Sequence, residues 1–179
     1  MYKIGDLILY GNTGVCKITD ITTRDLPNVD KNRLFYVLKP LYQECMISAP
    51  VDSTKVFMRP IITKQEAEKL IDMIPTISAQ AYQNSVLRQL TEHYEESFKT
   101  HDCEDLIELT MSIYAKKQIA IQQKKKFGAV DERFMKRAEE LLFGELAAAL
   151  GISKDDQEFI FNRFEQGKGS DSRYSKHNP

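Results

Sequence analysis

The spacing of apolar residues changes period near residue 60, so the chain must divide into two parts of different construction. Up to that point the apolar residues come in short runs cut by turn formers. Leu7-Ile8-Leu9-Tyr10 is followed by Gly11-Asn12-Thr13-Gly14, a strong turn signal. Residues 15–21 resume with partial alternation, and residues 25–32, which include Pro27 and Asn28, read as a loop. Leu34-Phe35-Tyr36-Val37-Leu38 is rich in β-formers, and Cys45-Met46-Ile47-Ser48-Ala49 looks like its partner. Pro50 ends that strand, and Lys55-Val56-Phe57-Met58 reads as a last short one. Four or five short strands in so short a stretch suggest a sheet that curls into a small barrel, since closure removes exposed edges.

Beyond residue 60 the pattern turns helical. Thr63 and Glu66 fit a capping box, in which each side chain satisfies an orphan amide of the first turn. The helix it opens should end before Pro75. A second helix is expected over 79–99, where Tyr82, Val86, Leu90, Tyr94 and Phe98 recur every fourth position with Leu87 beside them. Asp102 is a good N-cap for a third helix carrying Leu106, Leu109 and Ile113, closed near Gly128. A fourth is expected over 131–149, with Phe134, Ala138, Leu141 and Leu142 on one face, and Gly151 stops it. Ser153 opens a short fifth helix to about residue 165. The expected fold is therefore α+β in two domains: an SH3/Tudor-like small β-barrel over 1–60, then an all-α domain of four to five helices over 61–165. Residues 166–179 form a polar tail, expected to be disordered.

Charge and cysteine content narrow the class. The formal net charge is −1, which argues against a protein that coats nucleic acid by bulk electrostatics. No apolar run approaches the length of a membrane span, and the first residues are no signal peptide. Cys16, Cys45 and Cys103 are odd in number and far apart, so neither a disulfide framework nor a CxxC metal pair is expected, and a reducing cytoplasm is the natural home. His93, His101 and His177 have no metal-ligand spacing. Cys103 stands at a helix N-terminus, where thiol pKa falls, so a cysteine-dependent enzyme is one reading; Asp102 acting simply as the cap is the other. No phosphate loop, dinucleotide glycine pattern or nucleophile elbow is present, and Glu95/Glu96 and Glu139/Glu140 read as solvated faces. No enzyme, catalytic residue, metal, cofactor, small-molecule substrate or membrane partner is expected.

Two basic clusters stand out. Lys116, Lys117, Lys124, Lys125 and Lys126 fall in the second half of the expected third helix, and Arg133, Lys136 and Arg137 open the fourth. They read either as phosphate contacts, acting through counterion release, or as cations that complement a helix C-terminus and keep the surface soluble. Over residues 80–150 ten Lys and Arg stand against twelve Asp and Glu. Binding to DNA would therefore have to come from one face, weakly and with strong salt dependence.

Several segments resemble the CarD/CdnL family of bacterial transcription regulators. Lys3-Ile4-Gly5-Asp6-Leu7-Ile8-Leu9-Tyr10, followed by a glycine-containing turn, is similar to that family's K-x-G-D-x-V-x-Y opening. Ala49-Pro50-Val51-Asp52 and Met58-Arg59-Pro60-Ile61-Ile62 resemble its V-P-x-[DE] and G-[LV]-R segments. Ala138-Glu139-Glu140-Leu141-Leu142-Phe143-Gly144-Glu145-Leu146-Ala147 is similar to its A-[KR]-Q-I-L-x-x-E-L-A signature. The likeness spans about residues 1–150, in order. It implies a Tudor-like N-terminal module, shared with the transcription-repair coupling factor, that binds the RNA polymerase β subunit. It further implies a helical domain that contacts promoter DNA at the upstream edge of the transcription bubble and stabilises the open complex. The alternative is a polymerase-binding adaptor whose helical domain holds another protein.

Residue by residue, the resemblance places Arg24 on the polymerase-facing side, where a guanidinium can fork onto a carboxylate. A second family arginine falls on Ser48, so that contact is lost or replaced. The family wedges a tryptophan into the minor groove, but this chain has none, and Leu87 occupies that place with Arg88 after it. Leucine can act as an apolar wedge. Leu87 also lies on the apolar stripe, however, and periodicity favours burial there. The expected DNA-contacting set is Leu87, Arg88, Lys116, Lys117, Lys124, Lys125, Arg133, Lys136 and Arg137.

Overall fold

The computed structural model describes residues 1–153, 160 and 162. It divides into two compact units, with the boundary along the chain between Ile62 and Thr63.

The first unit is a five-stranded antiparallel sheet in the order β4-β3-β2-β1-β5. Its strands are β1 (Leu7–Tyr10), β2 (Gly14–Thr23), β3 (Leu34–Pro40), β4 (Ile47–Pro50) and β5 (Met58–Pro60). Register explains the core. Ile8 lies opposite Cys16, Ile18 opposite Leu38, and Tyr36 opposite Ala49. Alternate side chains share a face, so these six meet as the buried cluster of the sheet. A register shift between Ile18 and Asp20 bends β2, the longest strand. Tyr2 closes the open end: its amide donates to the Tyr36 hydroxyl at 3.0 Å and its own hydroxyl to the Met58 carbonyl at 3.2 Å. The last strand lies three residues beyond its expected start at Lys55, because β5 must reach back to β1, pairing Tyr10 with Met58 and Ile8 with Pro60.

Cys16 is fully buried in this cluster, and burial, reinforced by Cys45, pushes its thiol up to about 12. An unfolded thiol ionises near about 8.5. The folded state therefore holds its proton while the unfolded state loses it, so this stabilisation is intact below about pH 8.5 and drains away as pH climbs toward 12. Stability to urea should fall by about 1.4 kcal/mol per pH unit in that window from this group alone, and Cys16→Ala, weaker at neutral pH, should show a flatter alkaline limb. In the native state the exposed Cys45 should react with a thiol reagent while Cys16 and Cys103, both buried, stay protected until unfolding.

The second unit comprises α1 (Lys64–Met73), α2 (Leu87–Lys99), α3 (Cys103–Gln122) and α4 (Ala129–Leu150). The capping box is present: the Glu66 amide donates to Thr63 Oγ1 at 3.2 Å and the Thr63 amide to Glu66 Oε2 at 2.7 Å. Asp102 caps α3 by accepting from the Glu104 amide at 2.8 Å. The expected fifth helix and tail lie outside the described residues.

Three boundaries differ from expectation. Helix α2 begins at Leu87 and not near 79, because Asn84 Oδ1 captures the Val86 amide at 2.8 Å and turns the chain. Leu90, Tyr94 and Phe98 keep the buried stripe, but Val86 is 49% exposed and Leu87, expected in the core, is 63% exposed. Helix α3 ends at Gln122, so Lys124, Lys125 and Lys126 are not helical. Its end is a Schellman closure, with the Lys125 amide donating to the Ala120 carbonyl at 2.8 Å and the Lys124 amide to that of Ile121 at 3.0 Å. Gly128 is accordingly the N-cap of α4, which starts at Ala129.

Candidate functional site

On the β unit, Arg24 is the first residue after β2, and it is exposed. It forms no ion pair among the described residues. The last rung of the ladder joins Thr23 to Leu34, which brings Arg33 to the same end of the sheet. Arg33 is already engaged: Nε and Nη2 both approach Asp52 Oδ1 at 2.9 Å, and the guanidinium stands 6.0 Å from the Phe35 ring centre. That hydrogen bond holds the Asp52 carboxyl below its ordinary range. Sequence reasoning passes over this pair, although Asp52 lies in the quoted Ala49–Asp52 segment. Ser48 is exposed on the edge strand β4, opposite Val37, which in turn faces Asp20. Arg24 therefore lies four residues along β2 from the Ser48 row, about 13 Å in extended chain. The two expected polymerase-facing positions share a unit but are not side by side.

In the helical unit, side-chain contacts fix the helix directions. Tyr94 meets Asp131 and Phe134, and Phe98 meets Phe134 and Arg137, so α2 and α4 run parallel. Lys116 meets Asp131, Tyr114 meets Glu139 and Cys103 meets Glu145, so α3 runs antiparallel to α4. The N-terminus of α2, the C-terminus of α3 and the connection 123–128 consequently lie at one end of the unit. Leu87 and Arg88 precede Tyr94 by two turns of helix, about 10 Å. Lys124, Lys125 and Lys126 precede Asp131 by a similar stretch of chain. Exposed apolar and cationic side chains thus share one tip.

The expected basic set divides by what each cation already touches. Lys124, Lys125, Lys126 and Lys136 are exposed and form no ion pair among the described residues. Arg133 is exposed, its guanidinium 5.1 Å from the Phe134 ring centre. Arg88 donates to Glu92 at 2.9 Å along an exposed helix face, a pair weak enough to open for a phosphate. Lys117 is half-buried over Phe127. Lys116 and Arg137 are paired across helices. The Lys116 side chain, 13% exposed, donates to the buried Asp131 at 2.8 Å. Arg137 donates to Glu95 at 2.8 Å and lies 4.0 Å from the Phe98 ring centre.

Asp131 organises the end of the bundle. Its Oδ1 also accepts from the Tyr94 hydroxyl at 2.7 Å, and burial together with that bond pushes the Tyr94 phenol well up, keeping it a donor. A Cβ on Gly128 would stand 2.7 Å from Asp131 Oδ2, so the cap residue must be small for the carboxylate to sit there.

Cys103 and His93, singled out in the sequence, are both engaged with neighbouring side chains. Cys103 is 3% exposed, and its Sγ donates to Glu145 Oε2 at 3.3 Å, so it is a buried donor and not a thiol presented to substrate. His93 stacks on Tyr82 with ring centres 3.6 Å apart. Among the described residues no cluster of metal-ligating side chains occurs, and no helix is long and apolar enough to cross a membrane.

Comparison with known proteins bears on the β unit. Residues 2–62 match the family model described as the CarD-like/TRCF RID domain. No curated protein matches the chain.

Proposed function

We propose that this chain, whose residues 2–62 form a CarD-like/TRCF RNA-polymerase-interacting domain, docks through that domain on the polymerase β subunit and holds promoter DNA with the tip of its helical unit. Arg24 makes the charged contact on the β unit, where its free guanidinium can fork onto a carboxylate of the partner. Leu87 acts as the apolar wedge at the upstream edge of the bubble, and Lys124, Lys125 and Lys126 hold the flanking phosphates. Arg133, Lys136 and Arg88 extend the contact. Lys116 and Arg137 are left out, because their cations are already paired with Asp131 and Glu95.

One observation carries this reading: the most exposed apolar residue of α2 stands at the same end of the unit as three unpaired lysines. An apolar tip alone would suit a protein partner as well. The lysines favour a polyanion. The helical unit adds little affinity by itself, and docking on polymerase supplies the local concentration that makes weak, salt-sensitive DNA contacts effective.

The mechanism is linkage. A factor that binds the open promoter complex better than the closed one shifts the equilibrium by its differential affinity, and a tenfold shift needs about 1.4 kcal/mol. A single wedge and a few phosphate contacts are of that size. Such a protein works in the cytoplasm, where its three thiols stay reduced. The test is the lifetime of a polymerase–promoter open complex after competitor challenge. Wild-type protein should lengthen it and Leu87→Ala should lose about tenfold of that gain, while an unchanged lifetime with Leu87→Ala would remove Leu87 from the contact.

A further inference from the structure

We infer that residues 82–86 form a clasp that makes α2 begin at Leu87 and so keeps that side chain at the tip, an inference that rests on the DNA-contacting reading above. Apolar spacing alone would continue the helix back through Val86 and Tyr82, leaving Leu87 between two helical turns. The chain reverses instead. Tyr82 lies against the ring of His93, the planes 18° apart. His93 is six residues into α2, about 9 Å along its axis, so the preceding chain folds back alongside the helix it is about to enter.

Asn84 holds the reversal with both ends of its amide. Its Oδ1 accepts from the Val86 amide at 2.8 Å, closing an Asx-type turn. Its Nδ2 donates to Gln89 Oε1 at 3.0 Å and to the Tyr82 hydroxyl at 3.2 Å. Farther back, Ser112 Oγ donates to the Gln80 carbonyl at 2.7 Å and ties the incoming chain to α3. Two successive turns of α2, at Gln89 and His93, are thereby gripped by residues that precede it. The consequence is geometric. A helix continued back through Tyr82 would set Leu87 beside the apolar stripe, whereas in the first turn of α2 it is 63% exposed and open to a base step. Asn84 is thus a positioning residue for Leu87.

The test uses the full-length protein with polymerase and a fork-junction promoter fragment carrying a fluorescent adenine analogue at the upstream edge. Asn84→Ala should weaken binding to this complex about three- to tenfold and reduce the fluorescence change, as loss of one or two ordering hydrogen bonds implies. Asn84→Asp keeps the acceptor for the Val86 amide but loses both Nδ2 donations, and should fall between wild type and Asn84→Ala. Tyr82→Phe keeps the stacked ring and should behave like Asn84→Asp. Asn84→Ala combined with Leu87→Ala should be no weaker than Leu87→Ala alone. If Asn84→Ala matches wild type while Leu87→Ala weakens binding, the clasp is overturned and the DNA contact stands. If Leu87→Ala itself matches wild type, the DNA contact falls and the clasp with it. Loss of the cooperative urea unfolding of the helical unit in Asn84→Ala would mark a general folding defect and would also overturn the inference.

Discussion

Asp131→Ala is expected to cost the helical unit about 3–5 kcal/mol, the range for breaking a buried ion pair from one side. The Asp131 side chain is 5% exposed and its Oδ1 receives both the Lys116 ammonium and the Tyr94 hydroxyl. Truncation leaves a largely buried ammonium and a buried phenol without their acceptor, at the point where α2, α3 and α4 meet. It also removes a carboxylate from the first turn of α4, where the helix dipole favours one. Urea denaturation should show the loss, and Tyr94→Phe, which leaves the ion pair intact, should cost only about 1 kcal/mol. Lys116→Gln should lower stability while leaving the salt dependence of DNA binding unchanged. A changed salt slope with unchanged stability would return Lys116 to the DNA-contacting set.

The second large effect belongs to the connection between α3 and α4. Neutralising Lys124, Lys125 and Lys126 together by glutamine should flatten the dependence of log affinity on log salt by about 2.7, near 0.9 for each phosphate released from contact. Titration of the polymerase-bound protein against promoter DNA at several salt concentrations measures it, and an unaltered slope would take these lysines off the DNA. Lys124 allows a sharper separation. It holds a left-handed backbone, φ +52°, at the position of a Schellman closure where glycine is normally found. Lys124→Gly should therefore stabilise the protein by about 1 kcal/mol and at the same time remove one unit's share of the slope. Opposite signs for stability and binding from one substitution are hard to obtain any other way.

Much of the fold is legible in the sequence because local signals agree with the tertiary outcome. The apolar run of β1 and the Gly11–Gly14 turn, the Thr63/Glu66 box, the Asp102 cap and the Gly151 stop all lie where residue chemistry places them. The misplaced boundaries share a cause. At Asn84 a side chain competes for the helix's first amide, and at Lys124 a lysine takes a conformation that composition assigns to glycine; neither leaves a periodic trace. The last strand is placed by pairing with β1, a contact about fifty residues away that no window of sequence contains.

The candidate site is legible in part. The family likeness names Arg24 and Leu87, and the structure shows both exposed. Burial of Leu87 follows from the stripe only if the helix continues past it, and the turn at Asn84 cancels that premise. Among the cations, sequence cannot separate Lys116 and Arg137 from Lys124 and Lys136, because the acids and rings that engage them lie on other helices. Asp131 is 15 residues from Lys116, and Glu95 is 42 from Arg137. The Arg33–Asp52 pair escapes for the same reason, with 19 residues between its partners.

Binding of the full-length chain to the isolated β lobe of RNA polymerase, measured with and without Arg24→Glu, tests the docking claim on which everything else depends. The wild-type protein should bind, and reversing the charge at Arg24 should cost about 2–5 kcal/mol, a loss of roughly thirty- to several-thousandfold. A correctly folded wild-type protein that leaves the β lobe unbound would contradict the account.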